Sequence, residues 1–134
     1  VMRYVIAFCK KMQWHIETLC FDPANASKLM MDLSSMGYEV EEVYQSHKSL
    51  NESTNGFRET VYEGEVYYLH NSLLNFAMSN AIIKTNNGLI KIDKDATKFK
   101  IDPVDATLCA FKLALYHQFT SRINDIVDKF LENF

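Results

Sequence analysis

Trp14-His15-Ile16-Glu17-Thr18-Leu19-Cys20-Phe21-Asp22-Pro23 joins a run of strand-forming residues to an aspartate and a proline. The run from Trp14 to Phe21 is rich in aromatic and β-branched side chains and too short for a long helix, so it predicts a strand. Pro23 suits the first turn of a helix, where its missing N–H would have been unpaired anyway. That helix is expected from Pro23 to Met36, with Leu29, Leu33 and Met36 on its inner face and Gly37 as its stop. Tyr38-Glu39-Val40-Glu41-Glu42-Val43-Tyr44 reads as the next strand. Strand, helix and strand in this order form a βαβ unit, expected to be parallel with a right-handed crossover. In such sheets ligands gather beyond the carboxyl ends of the strands, and Asp22 stands at one of those ends.

Upstream, Val1 to Met12 reads as a helix with Val1, Val5, Phe8, Cys9 and Met12 in one stripe. Downstream, Ser49-Leu50-Asn51-Glu52 resembles a capping box, and Leu50, Phe57 and Val61 continue a helical stripe to Gly64. Val66-Tyr67-Tyr68-Leu69 fits a strand or an extended link. Asn71 to Asn80 reads as a helix with Leu73, Leu74, Ala77 and Met78 inward. Ala81–Thr85 and Leu89–Asp93 flank Asn86-Asn87-Gly88, a strong signal for a small β-hairpin near 81–93. Pro103 opens the last strong helix, with Val104, Leu108, Phe111 and Leu115 on one face. The tail from Ser121 to Phe134 extends that helix or forms another, with Ile123, Ile126, Val127 and Phe130 apolar. One α/β domain over residues 1–134 is expected.

A chain of 134 residues can bury about two thirds of its unfolded surface. With 48% hydrophobic residues, only four Gly and two Pro, the composition is that of a folded protein. No apolar run approaches the ~20 residues of a membrane span, and the start lacks a signal-peptide pattern. Cys9, Cys20 and Cys109 have no paired spacing, which suggests reduced thiols in a cytosolic protein. There is no Gly-rich phosphate loop, so no nucleotide is expected in this piece, and no Ser or Cys stands in a nucleophile motif.

A net charge of −3 argues against a wholly basic nucleic-acid binder, but the charge is unevenly distributed. Lys84, Lys91, Lys94, Lys98 and Lys100 face only Asp93 and Asp95 over 84–100, whereas 39–65 carries seven glutamates against Lys48 and Arg58. The plain reading of both runs is a solvated face. The lysines are nonetheless the best candidate DNA contacts. With no arginine among them, they would act as point charges that position a backbone rather than read sequence.

A second Asp-Pro step, Ile101-Asp102-Pro103-Val104-Asp105, resembles the first. Hard divalent cations such as Mg²⁺ take oxygen ligands, and two-metal nucleases need carboxylates converging from separate elements. Asp22, Asp102 and Asp105 could meet that need. Aspartate is equally a favoured N-cap, and a first-turn carboxylate suits the helix dipole, so both readings stand at this point. His15, His47, His70 and His117 lack metal-ligand spacing. Tyr62, Tyr67 and Tyr68 could stack on bases, but core or interface packing is the commoner use of tyrosine.

In order, these segments resemble the C-terminal nuclease domain of the large terminase subunit of tailed bacteriophages, over roughly residues 1–116. The residues that carry the resemblance are Phe21-Asp22-Pro23-Ala24-Asn25-Ala26 after a strand, then Gly37 and a strand ending near Gln45. Further on are His70-Asn71, Asn80 before a hairpin, and Lys94 ahead of Lys100-Ile101-Asp102-Pro103-Val104-Asp105-Ala106.

The resemblance implies a ribonuclease H-like mixed sheet with flanking helices. It also implies a metal-dependent endonuclease, using Mg²⁺ or Mn²⁺ in a two-metal site, that cuts concatemeric viral DNA during packaging. Carried over, Asp22 matches the central acid, and Asp102 and Asp105 rank nearly equal for the last. Lys84, Lys94 and the hairpin would border the DNA path. Implied partners are double-stranded DNA, the small terminase subunit and the portal, with no membrane, in the cytoplasm of an infected or lysogenic bacterial host. The family's first acid and the early antiparallel strands of the fold would lie upstream of Val1. The chain is therefore expected to be the C-terminal portion of a nuclease domain, binding metal weakly and cleaving poorly alone. The alternatives are a non-catalytic module docking on DNA or a packaging partner, and another ribonuclease H-like nuclease or resolvase.

Overall fold

The computed structural model describes residues 2–24, 26–96 and 98–116. In chain order the elements are α1 (Met2–Lys11), β1 (Leu19–Phe21), α2 (Ser27–Ser35), β2 (Val40–Glu42), α3 (His47–Tyr62), α4 (Ser72–Ser79), β3 (Ile83–Asn86), β4 (Leu89–Ile92) and α5 (Asp102–Ala114). Strands β1 and β2 pair in parallel with Leu19 opposite Val40, so the βαβ unit is present. The expected mixed α/β architecture is what the chain adopts. The segment Ser121–Phe134 lies outside the described residues.

The unit is shorter than its composition suggested. Residues 14–18 are not strand, because pairing begins only where Leu19 N–H donates to Glu39 O at 2.9 Å. β-forming side chains make a strand only with a partner ladder beside them. Helix α2 begins at Ser27, not at Pro23. Instead Asp22 Oδ1 accepts the Ala24 N–H at 3.1 Å, and Ala26 N–H donates to Pro23 O at 3.3 Å, closing a turn. The Asp-Pro step is an Asx-type turn here, and Asp22 is not the cap of α2, whose N-cap position is held by Ala26. Gly37 ends the helical segment with φ +86°, a region that favours glycine.

Helix α3 starts upstream of the expected box. Ser46 is its N-cap, and Ser46 Oγ accepts the Ser49 N–H at 3.1 Å, so Ser49 donates where it was expected to accept. Asn71 caps α4, its Oδ1 accepting the N–H groups of Leu73 and Leu74. Residues 66–69 form a link rather than a strand. In the hairpin, Asn87 (φ 48°) and Gly88 (φ 76°) supply the paired left-handed conformations of a type I′ turn.

Two buried clusters hold these elements together. Val43, Leu50 and Cys109, with Cys20 against them, join the parallel sheet to α3 and α5. Ala77, Val104 and Leu108 join α4 to α5, with Phe57, Met78, Ala81 and Ile92 packed around them. Each large aliphatic side chain so buried contributes about 1.5–3 kcal/mol. Helix α5 is also tied to α3 by Lys112 Nζ, which donates to Ser49 Oγ at 2.9 Å, and by the edge-to-face pair Phe57–Phe111. Other expected inward residues face solvent. Leu29, Met36 and Leu73 are exposed, Leu115 is partly covered where it packs over Gly56 of α3, and α1 buries none of its stripe among the described residues. A period-3.6 pattern names a face without saying what covers it.

Candidate active site

Both parallel strands run toward one place. Asp22 follows the carboxyl end of β1 and Gln45 that of β2. Opposite them stand Lys84 and Lys91 of the hairpin, then Asp93, Lys94 and Asp95 just past β4. Asp105, in the first turn of α5, completes the lining of a cavity of about 260 Å³.

The positions follow from local rules. Lys84 and Lys91 are cross-strand partners, so their side chains leave the ribbon on one face, and Asp93 follows Lys91 by the strand period of two. Like charges so placed need counterparts. Lys84 Nζ lies 3.6 Å from Asp93 Oδ2, and Lys91 Nζ donates to Gln45 O at 3.0 Å. Asn51 of α3 fixes the hairpin from behind, its Oδ1 accepting the Ile90 N–H at 2.8 Å. Helix α5 turns Asp105 inward because Val104 and Leu108 are buried beside it, and the Asp105 residue keeps only 9% of its surface.

The shortest polar contact described in the cavity is between Lys94 Nζ and Asp105 Oδ2, at 2.6 Å. Partial burial alone would push the Lys94 ammonium's pKa down. The hydrogen bond and charge of Asp105, followed by the charges of Asp102 and Asp22, raise it above the ordinary lysine value. Lys94 thus lies in the field of all three candidate acids. Asp93 behaves in the opposite sense. Partial burial pushes its carboxyl up, but the Asp95 N–H, donating to Oδ1 at 3.0 Å, and the Lys84 ammonium hold it below the usual range.

The three candidate acids are therefore not equivalent. Asp22 and Asp105 line the cavity, whereas Asp102 is exposed at the helix start and is absent from the lining. Neither Asp102 nor Asp105 is a side-chain cap. The N-cap position of α5 falls on Ile101, which has no side-chain acceptor, and Asp102 is the first helical residue. Lys84, Lys91 and Lys94 border the acids, while Lys98 and Lys100 are exposed on the connector ahead of α5. Asp93, Asp95 and Gln45 join the site without having been named as site residues from the sequence. The Lys91-to-Asp93 spacing within a predicted strand was the available signal.

Elsewhere, His15 Nε2 lies 3.8 Å from Glu17 on the surface, and His47 Nε2 is covered without a hydrogen-bond partner among the described residues. Tyr62, Tyr67 and Tyr68 are exposed rather than core. All three cysteines are free thiols; burial, foremost among the causes, pushes Cys20 and Cys109 above the usual thiol range.

The family model for the endonuclease domain of the terminase large subunit matches residues 1–118. The chain belongs to this family. The fold of this terminase domain is similar to that in the crystal structure of the HK97 bacteriophage large terminase, with a TM-score of 0.69 over 82% of the chain at 19% identity. The terminase domain spans about a quarter of that protein, 24% of its chain. No curated protein matches the sequence. Among the described residues, no helix is long and apolar enough to cross a membrane.

Proposed function

We propose that this domain belongs to a metal-dependent endonuclease that cuts concatemeric phage DNA during genome packaging. The observation that carries the reading is the meeting of Asp22 and Asp105, far apart in sequence, on one lysine-bordered cavity at the carboxyl ends of two parallel strands.

Carboxylate oxygens are the right donors for Mg²⁺ or Mn²⁺. Mg²⁺ commonly rests on one or two carboxylates, with waters and substrate phosphates completing its shell. Asp22 and Asp105 fit that role, although no group of three acid, His or Cys ligands forms among the described residues. When bound, the metal supplies an activated water and neutralises charge developing on the phosphate. Asp22, fixed by its own turn, and Asp105, fixed by the α5 core, orient the ligand oxygens. Lys94 holds Asp105 in place, and Lys84 and Lys91 offer positive charge to a DNA backbone entering the cavity. Asp102 stands outside the lining and contributes field rather than a first ligand. Double-stranded DNA is the expected substrate, and other packaging proteins the expected partners, in the cytoplasm of the bacterial host.

A second reading is a DNA-docking module without catalysis, favoured by the Lys94–Asp105 ion pair, which already occupies one acid. The two separate by experiment. The complete nuclease domain, given Mn²⁺ and plasmid DNA, should cut, and Asp22→Ala should not. Undiminished cleavage by Asp22→Ala would overturn the catalytic reading.

A further inference from the structure

Phe99 is absent from the lining of the acid cavity and lies in the connector between two residues that line it, Asp95 and Asp105. Its ring meets that of Phe76 edge to face, with centroids 5.2 Å apart and planes at 79°. Both rings remain about half exposed, 52% for Phe99 and 48% for Phe76. Lys98 and Lys100 flank Phe99 directly, both exposed, and no acidic residue stands between Asp95 and Asp102.

The place of this pair in the fold follows from the core. Phe76 immediately precedes Ala77, which is fully buried against Val104 and Leu108 of α5. Phe99 lies just ahead of Asp102, where α5 begins. The two rings therefore sit beside the end of α5 that carries Asp105. The chain from Phe99 to Asp105 can span at most about 20 Å even when extended.

We propose that Phe76 and Phe99 form a stacking platform for unpaired bases at a DNA end beside the acid cavity, with Lys98 and Lys100 holding the phosphates of that strand. Every base has a π-face, so an aromatic platform takes unpaired nucleotides of any sequence, and adjacent cations supply the backbone affinity. The flanking lysines favour a nucleic acid over an apolar peptide as the occupant, by charge complementarity. A blunt duplex presents phosphates but keeps its bases stacked on one another, so it uses the lysines and leaves the rings idle. The proposal rests on the nuclease reading for the origin of such an end, but base stacking can be measured without cleavage.

The test uses the full chain in metal-free buffer, with a blunt duplex and the same duplex bearing a single-stranded extension that contains a fluorescent purine analogue. The wild type is expected to bind the extended duplex more tightly and to quench the analogue. Phe99→Ala should weaken binding of the extended duplex by about fivefold or more and abolish quenching, with blunt-duplex affinity unchanged. Phe99→Leu, which keeps apolar bulk without a ring, should behave likewise, while Phe99→Trp should retain quenching. Equal losses on both duplexes, or none on either, would overturn the platform; the latter is expected if the patch meets a protein. Failure of the nuclease reading is seen separately, as undiminished cleavage by Asp22→Ala.

Discussion

Lys94 Nζ lies 2.6 Å from Asp105 Oδ2, so the acid that α5 turns toward the cavity already has a cation of its own. A divalent ion must share or displace that ammonium. Lys94→Met is therefore expected to raise the affinity for Mn²⁺, read as a lower midpoint in a Mn²⁺ titration followed by thermal shift. The same variant should lose about 1 kcal/mol of stability, a modest figure because the Lys94 side chain is 45% exposed and its pairing is screened. Weaker Mn²⁺ binding would show that Lys94 organises the site more than it competes for it.

Asp102 and Asp105 were indistinguishable by spacing, but only Asp105 lines the cavity. In the complete nuclease domain, Asp105→Asn is expected to reduce Mn²⁺-dependent plasmid cleavage by about 100-fold or more, and Asp102→Asn by about tenfold or less. The reverse order in a time-course assay would return Asp102 to the centre of the site.

The Asp93 carboxyl is held below its ordinary range, so its charged form is favoured by folding. For a lowered carboxylate, the stabilisation is present above the unfolded pKa of about 4 and is lost as pH falls through the folded value. Wild type should therefore exceed Asp93→Asn in urea midpoint near neutrality, and the gap should close as pH falls below about 4. A gap that persists unchanged into strong acid would mean that Asp93 acts through packing.

Leu108 is 1% exposed and joins α5 to α4 beside Ala77 and Val104. Leu108→Ala should cost about 2–5 kcal/mol, measured by denaturant unfolding. Because the same cluster sets the rotation of α5, Mn²⁺ affinity should fall with it even in the fraction that stays folded. Unaltered Mn²⁺ affinity would uncouple the core from the orientation of Asp105.

Lys98 and Lys100 are exposed on the connector, whereas Lys84 and Lys91 also hold the hairpin through Asp93 and Gln45. Replacing Lys98 and Lys100 together with alanine should reduce the slope of log affinity against log salt on duplex DNA by about 2, with melting temperature unchanged. An unaltered slope would remove them from the DNA path.

Much of the fold was legible because its signals are local. Asn87-Gly88 specifies a hairpin turn and Gly37 ends its helical segment, each through conformational preferences that act within a few residues. The strand–helix–strand order also sufficed to set β1 and β2 in parallel and to place Asp22 beyond a strand end. Where the reading missed, a distant partner decided. Residues 14–18 had strand-forming side chains but no ladder, and the stripe of α1 had no buried position.

The sequence by itself determined which acids and lysines were available, and that a parallel unit and a hairpin would carry them. Only the tertiary structure decided which of them meet. Asp105 reaches the cavity because Val104 and Leu108 are buried against Ala77, and that contact fixes the rotation of α5. Lys94 finds Asp105 because the hairpin ahead of it is anchored to α3 through Asn51, whereas Lys84 meets Asp93 through the register of the hairpin itself. The physical reason is range. Turn and cap preferences act over a few bonds, whereas ion pairs and helix rotation depend on surfaces that exist only after the chain has closed on itself.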